Sequence, residues 1–122
     1  MKAKTSGFAV VLLPLLGMAC GCHSRQIDTT VENRTGDAIT LLEVDYPSAS
    51  FGTDSLAAGA DYHYRFQVRG NGPLKAQYTE RKTLQVRQIT GPELAEGQEG
   101  RLEIVLLPGG QAAFHPSLSP ER

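Results

Sequence analysis

The chain has 122 residues with 12 Lys plus Arg, 13 Asp plus Glu and 40% hydrophobic side chains, a composition that fits one globular domain and leaves no room for two. Without its first 22 residues, which hold Lys2 and Lys4 but no acid, the charges become 10 basic and 13 acidic, a net of −3 that excludes whole-molecule attraction to nucleic acid or an anionic membrane. The 13 Gly and 7 Pro punctuate the chain throughout and predict many turns between short elements.

Met1 to Thr5 is basic and Phe8 to Leu16 is nearly all apolar, the charged and hydrophobic regions of an export signal. Spanning a bilayer takes about 20 apolar residues. This run is about half that length and contains Pro14, so it does not anchor the chain by itself. It ends in Gly17-Met18-Ala19-Cys20-Gly21-Cys22, and no cysteine follows. A disulfide between Cys20 and Cys22 would close a tight, strained ring and stabilise little. The folded part must be held together by its core alone.

Small residues directly before a cysteine, after an apolar run, resemble the lipobox of bacterial lipoproteins. The resemblance covers about the first 22 residues and does not extend to the domain that follows. It implies a signal peptide and lipidation region over 1–22, with a diacylglycerol on the thiol of Cys22 or Cys20, further acylation (palmitate in such proteins), and residence in the bacterial cell envelope. For Cys20 the upstream leucine, Leu16, stands one place further away than in the motif; for Cys22 the middle of the motif is Cys20. Both therefore stand as candidates. The next residues, Gly21 and His23, are not aspartate, which in that class implies the outer membrane, facing the periplasm, rather than the inner membrane. An ordinary secretory signal cut beside small residues is the alternative. Each buried acyl CH₂ contributes about 0.8 kcal/mol, so one chain gives marginal residence and two or more make it stable. Residues 23–26 then form a short tether, whose reach at about 3.3 to 3.6 Å per residue is roughly 15 Å.

From Ile27 the pattern becomes strand-like. Ile27, Thr29 and Val31 predict a first strand. In AITLLEVDY the apolar phase slips at Leu41-Leu42, which predicts a bulge or a change of sheet. DYHYRFQVR is the clearest element, with Tyr62, Tyr64, Phe66 and Val68 on one face and Asp61, His63, Arg65, Gln67 and Arg69 on the other. Leu74, Ala76 and Tyr78 repeat the pattern, as do Leu84 and Val86, and then Leu102, Ile104 and Leu106. A three-residue loop over Gly70 to Gly72 pairs Val68 with Leu74 and Tyr64 with Tyr78; a turn at Glu80, Arg81 and Lys82 pairs Tyr78 with Leu84 and Ala76 with Val86. Any one-residue slip would reverse the faces. The result is a three-stranded meander. Pro92 to Gln98 is the nearest approach to a helix, short and interrupted by glycine. The expected fold is all-β, an antiparallel β-sandwich of about seven strands, immunoglobulin-like or transthyretin-like in broad shape, over 27–114. HPSLSPER, 115–122, reads as a disordered tail.

The chemistry-bearing residues are scattered. His23, His63 and His115 have no partner at metal-ligand spacing, and no Ser, His, Asp set is apparent. Glu43 and Asp45 point the same way from one strand, and Glu93, Glu96, Glu99 and Glu103 cluster in sequence, but neither set follows an ordered ligand loop. Asn33-Arg34-Thr35 is a glycosylation sequon by letter and is expected to be simply the turn ending at Gly36. On the meander's outward face, Arg65, Arg69, Lys75 and Arg87, with Arg81 and Lys82 in its second turn, make a candidate docking face for an acidic envelope protein or polysaccharide; keeping exposed strands soluble is the plainer role for the same charges. A partner strand recruited to an exposed edge is another route to binding. The expectation is a lipid-anchored binding or assembly module, not an enzyme, with no cofactor, metal or nucleic-acid partner. A secreted enzyme built from scattered polar residues, or an inert accessory subunit of an envelope complex, are the alternatives.

Overall fold

The computed structural model describes residues 25–120. The expected signal peptide and lipidation region, with Cys20 and Cys22, and residues His23 and Ser24 of the expected tether lie outside the described residues. Alternation of buried and exposed side chains builds eight strands: β1 (Ile27–Asn33), β2 (Ile39–Tyr46), β3 (Ala49–Leu56), β4 (Asp61–Phe66), β5 (Gly72–Glu80), β6 (Val86–Leu94), β7 (Glu99–Leu107) and β8 (Gln111–Ser119). They form two four-stranded sheets, ordered β4-β1-β7-β8 and β3-β2-β5-β6, so the domain is an all-β sandwich. One neighbour pair, β1 with β7, is parallel. The other strand pairs are antiparallel, as expected of the sandwich.

The core lies between the sheets. Ile27 and Val31 of β1, Leu102, Ile104 and Leu106 of β7, and Phe66 of β4 face Ile39, Leu42 and Val44 of β2 and Leu74, Ala76 and Tyr78 of β5, all of them buried. Fully burying one such large side chain contributes about 1.5–3 kcal/mol. The phase slip in β2 is a bulge: the register with β5 shifts between Thr40 and Glu43, and Leu41 sits at φ 52° with its side chain exposed.

The expected meander is not formed. β4 pairs with β1, whereas β5 pairs with β2 and β6, so the segment between Phe66 and Gly72 crosses from one sheet to the other. The apolar faces of β4 and β5 belong to opposite walls of the same core. Alternation specifies which face turns inward and leaves the hydrogen-bonding partner open.

The β5–β6 hairpin is present with another register. Tyr78 opposes Arg87 and Ala76 opposes Ile89, three residues from the expected pairing. A longer turn is responsible. Glu80 N–H donates to the Gln85 carbonyl at 2.8 Å, Leu84 N–H donates to the Glu80 carbonyl at 2.8 Å, and Leu84 adopts φ 61°. Leu84 and Val86, expected in the core, are 75% and 58% exposed.

Of the tail expected over 115–122, His115 to Ser119 is instead the second half of β8, pairing with Glu103 to Glu99, and 121–122 lie outside the described residues. Ala112, Phe114 and Leu118 pack against the core from that strand. Pro92 to Leu94 completes β6, and the turn after it returns the chain to β7.

Candidate functional site

β4, β1 and β7 lie side by side, and the side chains that alternate away from the core form two rows on the outer face of their sheet. Arg65 opposes Asp28 on β1, which opposes Arg101 on β7. In the next row His63 opposes Thr30, which opposes Glu103, and Glu103 opposes His115 of β8. The order of sheet neighbours therefore assembles residues 37 and 73 positions away from Asp28 beside it.

Direct contacts run within the rows. Arg65 Nε donates to Asp28 Oδ1 at 2.6 Å. Thr30 Oγ1 and His63 Nδ1 are hydrogen-bonded at 3.1 Å. Further along β1, Arg34 Nη2 donates to Glu32 at 2.9 Å. Together Asp28, Thr30, His63, Arg65, Arg101 and Glu103 line a shallow depression of about 500 Å³. With 64% and 55% of their side chains exposed, Arg65 and Asp28 form a solvated pair, worth at most about 1 kcal/mol to stability. Chemically, the surface offers guanidinium donors on either side of one carboxylate. The terminal nitrogens of Arg65 and the side chain of Arg101 are free of ion pairs among the described residues, and such forks suit oxyanions in one plane.

The four cations expected on one face are not gathered. Arg65 stands on β4 of the first sheet, and Lys75 on the outer face of β5 in the second. Arg69 lies in the crossing segment, its N–H donating to Ser48 Oγ at 3.3 Å. Arg87 turns inward from β6, half-buried, with Nε donating to Glu80 Oε2 at 2.9 Å. That face depended on a meander the chain does not make. Of the set only Arg65 belongs to the depression; Arg101, its counterpart on β7, carried no signal beyond its alternate position in RLEIVLL.

The carboxylates are equally dispersed. Glu96 Oε1 accepts the Gly70 N–H at 3.2 Å, and Glu93, Glu99 and Glu103 lie on two strands. Among the described residues no group of three His, Cys, Asp or Glu stands together as metal ligands would. Glu43 and Asp45 do meet. Their side-chain hydrogen bond, then the charge of Asp45, raises the Glu43 carboxyl above its ordinary value.

Asn33 is fully buried. Its Nδ2 donates to the carbonyls of Asp37, Leu56 and Ala57 at 2.8, 3.0 and 3.1 Å, and its Oδ1 accepts from Thr35 N and Oγ1 at 3.1 and 2.7 Å. The sequon is thus a clamp joining the β1–β2 turn to the end of β3, with no room for a glycan on the amide.

Compared with known proteins, the chain matches no family model and no curated protein. A protein from Eubacterium rectale solved by NMR is similar in fold, with a TM-score of 0.56 over 83% of this chain and 100% of its own, at 10% identity. That likeness is one of fold alone.

Proposed function

We propose that this chain is a lipid-anchored protein of the bacterial envelope whose β-sandwich serves as a binding or assembly module without catalytic activity. The signal region and its two cysteines support the anchor. One structural observation bears on how such an anchor would hold the domain: the described chain is already attached to the sandwich at Arg25 and Gln26, close in sequence to both cysteines. Arg25 Nη1 donates to the Gly97 carbonyl at 3.4 Å, and the Gln26 carbonyl accepts the Gly100 N–H at 3.1 Å. From Cys22 to Arg25 is only three residues, about 10 Å of extended chain. The β6–β7 turn therefore lies beside the bilayer, while the Asn33 clamp, at the other end of β1, points away from it. The face carrying Arg65 and Arg101 runs along the side and stays open to a partner with anionic groups, an acidic envelope protein or a polysaccharide. The absence of aspartate after either cysteine favours the outer membrane, facing the periplasm.

Intact-mass analysis of the protein from native membranes tests the anchor. A mature N-terminus at Cys22 or Cys20 carrying diacylglycerol and a further acyl chain is the expected product, lost in the matching cysteine-to-alanine variant. An unacylated protein released into the medium overturns the reading. Replacing Arg65 and Arg101 together by Glu should weaken capture of envelope polysaccharide or acidic protein and flatten its salt dependence.

A further inference from the structure

Among the described residues, the non-glycine positions with positive φ are Leu41 at 52° and Leu84 at 61°. Both are leucines, and both are turned to solvent, 62% and 75% exposed. The left-handed region crowds Cβ against the backbone and is normally left to Gly, Asn or Asp. An exposed leucine there is unfavourable twice, through its backbone and through its hydrated side chain. The bulge and the β5–β6 turn account for the two backbones, but neither leucine side chain is buried within the isolated domain.

The register places these residues on one surface. Thr40 of β2 opposes Thr79 of β5, which opposes Val86 of β6, itself 58% exposed. Leu41 follows Thr40 in the bulge, and Leu84 precedes Val86 by two positions. With strands about 4.8 Å apart, Leu41 and Val86 stand roughly 10 Å from each other. The row beneath is uncharged on β5 and β6, where Gln88 Nε2 donates to Gln77 Oε1 at 2.8 Å. Among the described residues, two of the four exposed large apolar side chains, Leu41 and Val86, therefore share the outer face of the second sheet, and a third, Leu84, stands in the turn that leads into β6.

The charges around this patch are segregated. Glu43 and Asp45 of β2 and Asp54 of β3 are exposed on one half; Lys75 of β5 and Arg81 and Lys82 of the β5–β6 turn are exposed on the other. The acids on the basic half are already engaged, Glu80 by Arg87 and Thr83 and Asp37 by the Lys82 N–H at 3.3 Å, and Glu93 lies at the far end of β6.

We infer that this face packs against the same face of a second copy of the chain. A two-fold axis parallel to the strands, passing between β2 and β5, lays β2–β3 of one copy over β5–β6 of the other. Acidic halves then meet basic halves, and the two Leu41 side chains come together beside the axis. This is the self-complementarity that a closed, isologous pair requires. The pairing does not depend on the anchor, and it leaves the Arg65 face of each copy outward.

Native mass spectrometry and sedimentation of the purified full chain test it. The wild type forms a dimer, and the variant carrying Leu41→Asn and Leu84→Asn dissociates at least about tenfold more readily. Because asparagine tolerates left-handed backbone, the same variant should keep or raise its melting temperature when monomeric, which separates lost pairing from lost folding. Leu41→Cys should yield a disulfide-linked dimer under mild oxidation. A wild type that stays monomeric at about 100 μM, a concentration reaching even weak association, overturns the inference. So does an asparagine variant that dimerises unchanged.

Discussion

The two open flanks of the sandwich are closed by different means. On one flank β3 and β4 end their sheets, and the gap between them is filled with rings: Tyr46 stacks on Phe66 at 4.2 Å, Phe51 stacks on Tyr64 at 4.5 Å and on Tyr62 at 6.2 Å. Tyr62 Oη also donates to the Gly52 carbonyl at 2.9 Å, occupying a backbone acceptor that an edge strand would otherwise offer to another chain. On the other flank, where β6 and β8 end their sheets, closure works by subtraction. A Cβ on Gly91 would lie 2.7 Å from the ring of Phe114, and one on Gly110 would lie 2.8 Å from Cδ of Arg87. The aromatic flank is held by buried area and tolerates a half-exposed rim. The glycine flank is held by close approach, which one added methyl group disturbs.

The sharpest way to break that contrast is to remove the centre of the aromatic flank. Phe66 is 3% exposed and packs against both Tyr46 and Phe51. Phe66→Ala should cost about 3–5 kcal/mol in urea denaturation. Second in size, Gly91→Ala should cost about 1–3 kcal/mol, because the ring of Phe114 must shift. Combined with Phe114→Leu in a double-mutant cycle, its cost should fall below the sum of the single losses. Additive costs would show that the two positions do not press on each other. Tyr62→Phe keeps the ring and removes only the bond to Gly52. It should cost about 0.5–1.5 kcal/mol, and oligomers paired through the β3 edge should appear on sizing.

These flanks also explain which parts of the fold can be read in the sequence. Ile27-Thr29-Val31, Leu74-Ala76-Tyr78 and Leu102-Ile104-Leu106 are legible because β1, β5 and β7 are interior strands, with one face wholly against the opposite sheet. The bulge at Leu41 is legible because a phase slip has few other causes. Edge strands are less so. β3 offers only Phe51 and Leu56 as large apolar residues, and β8 mixes Phe114 and Leu118 with Pro116 and two serines; both strands exist through backbone pairing with a neighbour, which leaves little mark on side-chain pattern. The Gly70-Asn71-Gly72 stretch reads as a hairpin because face-matching is satisfied equally well by strands in one sheet and by strands across a core. The same ambiguity dispersed Arg65, Arg69, Lys75 and Arg87. Arg65 could be placed outward from β4, but its neighbours Asp28 and Arg101 come from strands whose order only tertiary packing decides.

The smallest expected effect contrasts two carboxylates of the second sheet. Hydrogen bonds from Thr83 and then Arg87 hold the Glu80 carboxyl below its ordinary value of 4.5. Asp45 pushes Glu43 the other way, first through their shared hydrogen bond and then through its charge. A depressed folded value means that the charged form is favoured by folding, so the contribution of Glu80 is complete above the unfolded value and is lost as pH falls through the folded one. For Glu43 the sign reverses. Its protonated form is favoured by folding, so its contribution is complete below the unfolded value and fades as pH rises through the folded one. Glu80→Gln should therefore flatten the loss of stability on acidification below about pH 4.5, whereas Glu43→Gln should leave acid stability alone and raise stability slightly at neutral pH, since glutamine can still donate to Asp45 without the repulsion. Melting temperatures between about pH 3 and pH 7, the range in which carboxylates titrate, check both signs. Identical slopes for the two variants would mean that neither carboxylate is held by the partners seen in the structure.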